Sequence, residues 1–220
     1  MPSARFVTKW SVMFLILFCA SAVPALGTPI SFTGAATPIA PPANASLGSV
    51  ESDTLAQFFT ERTNFQLPSN LTVDFDVPGT FPNPPVGPLP QLLANTSVDS
   101  YFLITDPVGS DQAPLREFRG SITFSTDILA IITLDSEFAT SSPVLGHPGT
   151  IYSLGYSQDP GDIIAISADR RTLSFDMFSA PAADNIRIIT QASVPEPTSL
   201  LLLGTGLTVA MARRRRRASR

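Results

Sequence analysis

Strict alternation of apolar and polar positions is clearest at residues 71–77 (LTVDFDV), where Leu71, Val73, Phe75 and Val77 share one side and Asp74 and Asp76 the other. Period two over this length predicts a half-buried strand. Pro78 ends it, and the six prolines within residues 78–90 read as a surface loop. Further strands are predicted at 98–105 (VDSYFLIT), 118–124 (FRGSITF), 128–134 (ILAIITL), 162–167 (DIIAIS), 172–178 (TLSFDMF) and 185–190 (NIRIIT). Residues 128–134 are apolar nearly throughout, as expected of a strand buried on both faces. Residues 168–171 (ADRR) read as a hairpin turn, and 52–61 fit either a short helix or a strand. Short strands with turn signals and almost no helical period predict an all-β, antiparallel body of sandwich or jelly-roll type over residues 47–190. Residues 28–46, rich in Pro, Ala, Ser and Thr and without a period, read as a flexible lead segment.

Two apolar runs break this pattern, one at each end. Residues 1–27 have the parts of a secretory signal peptide: Arg5 and Lys9, then the apolar run 12–22 (VMFLILFCASA), then small residues at Ala25 and Gly27. Cleavage before Thr28 fits the small-x-small rule, with sites after Ala22 or Ala25 as alternatives and an uncleaved anchor as the rival. The other end, residues 191–220, has three parts in order. Val194, Pro195, Glu196 and Pro197 form a rigid extended tetrapeptide, because each proline fixes its own φ and disfavours helix before it. Residues 198–212 (TSLLLLGTGLTVAMA) follow, a helix about 22 Å long against a bilayer core of about 30 Å. Arg213, Arg214, Arg215, Arg216 and Arg217 then form a basic stop. The expectation is one short transmembrane helix whose arginines stay in the cytoplasm, giving a type I orientation. Gly204 and Gly206 are packing positions within that helix.

This order of Val-Pro-Glu-Pro, short apolar helix and arginine cluster resembles the PEP-CTERM sorting signal of Gram-negative bacteria. The resemblance implies recognition by an exosortase, a membrane-embedded transferase that processes its substrates near Pro-Glu-Pro. The same type of tail is also described from ice-binding proteins, and by itself implies nothing about ice. The body resembles exported domains of PEP-CTERM proteins through VDSYFLITDPVG (98–109), GSITFSTDILAIITL (120–134), LGHPGT (145–150), SADRRTLSF (167–175) and DNIRIIT (184–190). Those domains imply export and fold but no chemistry.

Charge sharpens the picture. Between residues 28 and 193 six arginines face seventeen Asp and Glu, so an acidic body of about −11 lies between two basic ends. Such a body repels phosphates, which disfavours a nucleic-acid partner. The single cysteine, Cys19, and the single tryptophan, Trp10, both lie in the N-terminal run. The body therefore has no thiol nucleophile and no disulfide.

Candidate chemistry is sparse. His147 is the sole histidine, so neither a zinc site nor a Ser-His-Asp triad can be completed around it, and it reads as a solvated turn residue. Asp159 with Asp162, and Asp74 with Asp76, could contribute oxygens to calcium, but the first pair suits a type II turn and the second a solvated strand face. Asn44, Asn70 and Asn95 head sequons by pattern alone. The expectation is thus no enzyme, no catalytic residues, no cofactor and no metal. Expected partners are the Sec translocon, signal peptidase, an exosortase, the membrane through the C-terminal helix, and an extracellular polysaccharide context. The expected role is structural or adhesive at the cell surface or in the extracellular matrix. The alternative is a carbohydrate-binding sandwich, with Phe81, Tyr101, Tyr152 and Tyr156 as the stacking residues to examine. A carboxylate hydrolase is the weakest reading.

Overall fold

The computed structural model describes residues 29–82, 85, 87–109, 115–152, 161–179 and 183–192, all within one compact unit, Leu26–Ser193. The expected signal peptide, residues 1–27, and the expected sorting tail from residue 193 onward, including Val194, Pro195, Glu196, Pro197 and Arg213 to Arg217, lie outside the described residues.

Ten of the described strands form two five-stranded sheets. The front sheet contains β1 (Pro29–Gly34), β9 (Arg116–Phe124), β13 (Thr172–Ser179), β12 (Ile163–Ile166) and β6 (Gly79–Pro82), in that spatial order. The back sheet runs β10 (Ile128–Ile132), β14 (Asp184–Gln191), β8 (Ser97–Thr105), β4 (Ala56–Gln66) and β2 (Ala36–Pro38). Every pairing within them is antiparallel except β2 with β4. The all-β expectation therefore holds. Two short pairs complete the inventory of described strands: β3 (Asn44–Ala45) with β11 (Ile151–Tyr152), and β5 (Leu71–Thr72) with β7 (Gln91–Leu92).

The two sheets share one apolar core, and the sequence explains which residues enter it. In β9 and β13 alternate positions are buried: Phe118, Ile122 and Phe124, then Leu173, Phe175 and Met177. Their intervening residues are polar or charged and face outward. From the back sheet Phe58, Tyr101, Leu103, Ile186 and Ile188 meet them. Phe58, Tyr101 and Phe124 form an aromatic cluster with ring centroids 5.3–6.2 Å apart, an arrangement that stabilises beyond its buried area.

The back sheet is also covered on its other side. Phe59, Phe102, Ile104 and Ile189 pack there against Phe138 and Leu145 of α1 (Asp135–Leu145) and against Leu67, Leu71 and Val73. This second layer is why β8 and β14 are buried along almost their whole length. It likewise explains the apolar run in β10, as expected from the sequence.

Several expectations require correction. Residues 28–46 are no flexible lead: β1 pairs with β9, and β2 pairs with β4. Strands this short, at sheet edges and punctuated by prolines, leave no period to read. Of residues 52–61, Ala56 to Glu61 form the start of β4, and 52–55 precede it without helix or strand. The strand expected over 71–77 pairs only as β5, followed by one bridge from Phe75 to Ile131, and Val77 is exposed. Helix α1 was not foreseen, because a serine, Ser141, fills the middle of its buried stripe and Pro143 interrupts it. The 168–171 turn does join β12 to β13, with Arg170 at φ 60°.

Candidate functional site

The back sheet carries a buried polar centre on its α1 side. Cross-strand register places Arg187 of β14 opposite Phe102 of β8, and Phe102 opposite Phe59 of β4. An irregularity between Thr60 and Arg62 lies at Glu61. Both side chains of the Glu61–Arg187 pair are fully buried. Arg187 donates from Nε to Glu61 Oε2 and from Nη2 to Oε1, each at 2.8 Å. This bidentate geometry is the strongest form of the interaction. Ser100 donates to Oε2 at 2.7 Å, while Ser141 and Ser142 of α1 accept from the guanidinium at 2.5 and 3.2 Å. The rings of Phe138, Tyr152 and Phe102 surround the cation at 5.2–5.6 Å, within cation–π range.

This centre ties the back sheet, α1 and β11 together. Burial, with the Glu61 charge nearby, pushes the Tyr152 phenol well above its ordinary value and keeps it neutral. Its oxygen accepts the His147 backbone N–H at 2.8 Å. The His147 ring, in turn, accepts from the Gly149 N–H at 3.2 Å and meets Thr150 Oγ1 at 3.2 Å. The histidine is therefore engaged in holding its own turn. Sequence reasoning missed Glu61 and Arg187 altogether; a lone arginine between isoleucines in NIRIIT was the available signal.

Asp74 is buried, not solvated, and its Oδ2 accepts from Thr133 N, Thr133 Oγ1 and Leu134 N at 2.5–3.0 Å. Its Oδ1 is buried and has no hydrogen-bond partner among the described residues. Desolvation raises its pKa, against the lowering effect of those donors. Asp76, two residues further on, is half-buried. Asp162 is buried and accepts from Phe178 N at 2.7 Å, while Asp159 lies outside the described residues. No cluster of three or more His, Cys, Asp or Glu suited to a metal occurs among the described residues.

Among the described residues, the stacking candidates Tyr101, Tyr152 and Phe81 do not form a sugar platform. Tyr101 is 1% exposed in the core, Tyr152 is in the arginine cage, and Phe81 stacks on Phe75 at 4.2 Å. Tyr156 lies outside the described residues. Asn44, Asn70 and Asn95 are all exposed. The open outer face of the front sheet instead bears a shallow groove of about 520 Å³ lined by Thr33, Arg119, Ser121, Ile163, Ser174 and Asp176. Thr33 and Ser121 hydrogen-bond at 2.7 Å, and Arg119 pairs with Asp176 at 2.6 Å.

The remaining feature is where the body meets the tail. Strand β14 lies between β10 and β8, and its ladder ends with Gln191 opposite Val98. Beyond the ladder, Gln191 N–H donates to Asp127 O at 2.8 Å and Ala192 N–H to Ser97 O at 3.1 Å. Among the described residues no helix is long and apolar enough to cross a membrane. The family described as the PEP-CTERM protein-sorting motif matches residues 193–217. No curated protein and no solved structure matches the chain. The motif marks the chain as an exported protein sorted by an exosortase.

Proposed function

We propose that this exosortase-sorted chain is a non-enzymatic structural or adhesive protein of the cell surface or extracellular matrix, working among exopolysaccharide. The carrying observation is the sorting motif directly after a folded, acidic β body. The precursor enters the Sec translocon, loses residues 1–27 to signal peptidase and is held by the short helix 198–212, with Arg213 to Arg217 on the cytoplasmic side. The body has a jelly-roll-like sandwich architecture. Its polar groups support a scaffold, because Glu61, Arg187, Asp74 and His147 are all engaged in holding elements together.

The test separates sorting from insertion. Burial of Leu200, Leu201, Leu202, Leu203, Leu207 and Val209 drives insertion at about 25 cal/mol per Å², to which Pro195, Glu196 and Pro197 add almost nothing. Replacing those three with alanine should leave export and insertion intact while an unprocessed membrane-bound precursor accumulates. Processing and release like the parent's would show that the tail is only an anchor.

The front-sheet groove favours one second reading, a carbohydrate-binding sandwich. Its hydroxyls and the Arg119–Asp176 pair are groups that could exchange hydrogen bonds with sugar hydroxyls. A glycan-array screen with the parent and Arg119→Ala decides it: signal lost in the variant supports binding at the groove, and no signal in either rejects it.

A further inference from the structure

We infer that the C-terminal end of β14 is part of what the exosortase must handle: Gln191 and Ala192 have to leave the back sheet before the sorting segment can be processed, so the fold itself sets the processing rate. The inference rests on the exosortase reading above.

Three observations carry it. The motif begins at residue 193, immediately after Ala192, which is 5% exposed and hydrogen-bonded to Ser97. No linker separates fold from signal. Three extended residues from Ala192 to Pro195 reach only about 10 Å, whereas a folded unit of this length has a radius of gyration of about 15 Å. An enzyme that takes its substrate as an extended strand uses the backbone N–H and C=O groups of the residues flanking its target. At Gln191 and Ala192 the N–H groups already bond to Asp127 and Ser97.

The extent of opening is also set by the fold. Arg187, four residues before Gln191, is clamped by Glu61 through two 2.8 Å bonds inside the aromatic cage. Fraying from the C-terminal end therefore stops at that clamp. Two terminal backbone hydrogen bonds are a small barrier, worth roughly tenfold in the population of the open end. Because β14 fills the gap between β10 and β8, the back sheet closes only when this last strand is in place. Folding and presentation of the signal then compete for the same few residues.

The test is pulse–chase processing of the full-length chain in a host carrying the exosortase. Inserting about ten Gly and Ser residues between Ala192 and Ser193, a flexible coil, leaves every described contact in place. It should speed processing roughly tenfold. Ala192→Pro removes the N–H donated to Ser97 and should also speed processing, but should add nothing in the chain bearing the insertion. Protease resistance of the exported body confirms that both variants fold. Equal rates for the parent and the insertion variant overturn this inference and leave the exosortase reading intact. Processing that survives replacement of Pro195, Glu196 and Pro197 overturns the exosortase reading itself.

Discussion

Replacing Arg187 with methionine should destabilise the exported body by about 3–5 kcal/mol, the usual penalty for leaving one member of a buried ion pair alone. The structure places this site at the severe end. Both side chains are fully buried, the pairing is bidentate, and only neutral hydroxyls, those of Ser100 and Tyr152, are left to the Glu61 carboxylate among the described residues once the guanidinium is gone. The loss is a large share of the roughly 5–15 kcal/mol that holds a typical domain together. At about 2–4 °C per kcal/mol for a body of this size, the melting temperature should fall by about 10 °C. Replacing both partners, as Glu61→Leu with Arg187→Met, should recover most of the loss, because no charge then remains buried. The serine hydroxyls left behind limit the recovery by about 1 kcal/mol each. Urea unfolding of the parent, both single variants and the double variant completes the cycle. An Arg187→Met change within about 1 kcal/mol of the parent would mean that the pair behaves like an exposed one. A double variant as unstable as the two singles summed would equally refute the reasoning.

Gly120→Ala should destabilise by about 1–3 kcal/mol, since its new Cβ would lie 2.6 Å from Thr33 O and 2.8 Å from the Phe175 ring; thermal unfolding checks this, and an unchanged midpoint contradicts the close approach of β1 to β9. Asp74 has a folded-state pKa raised by burial, so its protonated form is favoured by folding and its contribution is lost as pH rises through the folded value. The stability of the parent relative to Asp74→Asn should therefore improve as pH falls from 7 into the carboxylate range, and a difference independent of pH would reject the burial argument. Circular dichroism of residues 28–193 should show β structure unchanged by reducing agent, because the single cysteine, Cys19, lies outside that segment; dominant helical minima would contradict the two-sheet fold.

Legibility of the fold followed the physics of each face. Strands β9 and β13 were readable because one side meets the core and the other meets water, so apolar and polar residues alternate. The continuous apolar run of β10 signalled burial on both sides, although not that a helix supplies the second cover. That helix was hidden because Ser141 is buried for its hydrogen bond to Arg187, a partner 46 residues away. Asp74 misled for a related reason. Its alternating position suggested solvent, whereas its carboxylate turns inward to the backbone of Thr133 and Leu134. Long-range partners of this kind leave no local period. The sorting tail was legible because its signal is linear: Val-Pro-Glu-Pro, an apolar run and an arginine cluster are recognisable without any tertiary contact.

The most direct measurement of the central claim is the intact mass of the protein recovered from outside the cell. Sorting by an exosortase predicts a chain that begins near Thr28 and ends close to Pro195, Glu196 and Pro197, without the apolar run 198–212 and without Arg213 to Arg217. A recovered chain that keeps the five arginines would contradict it.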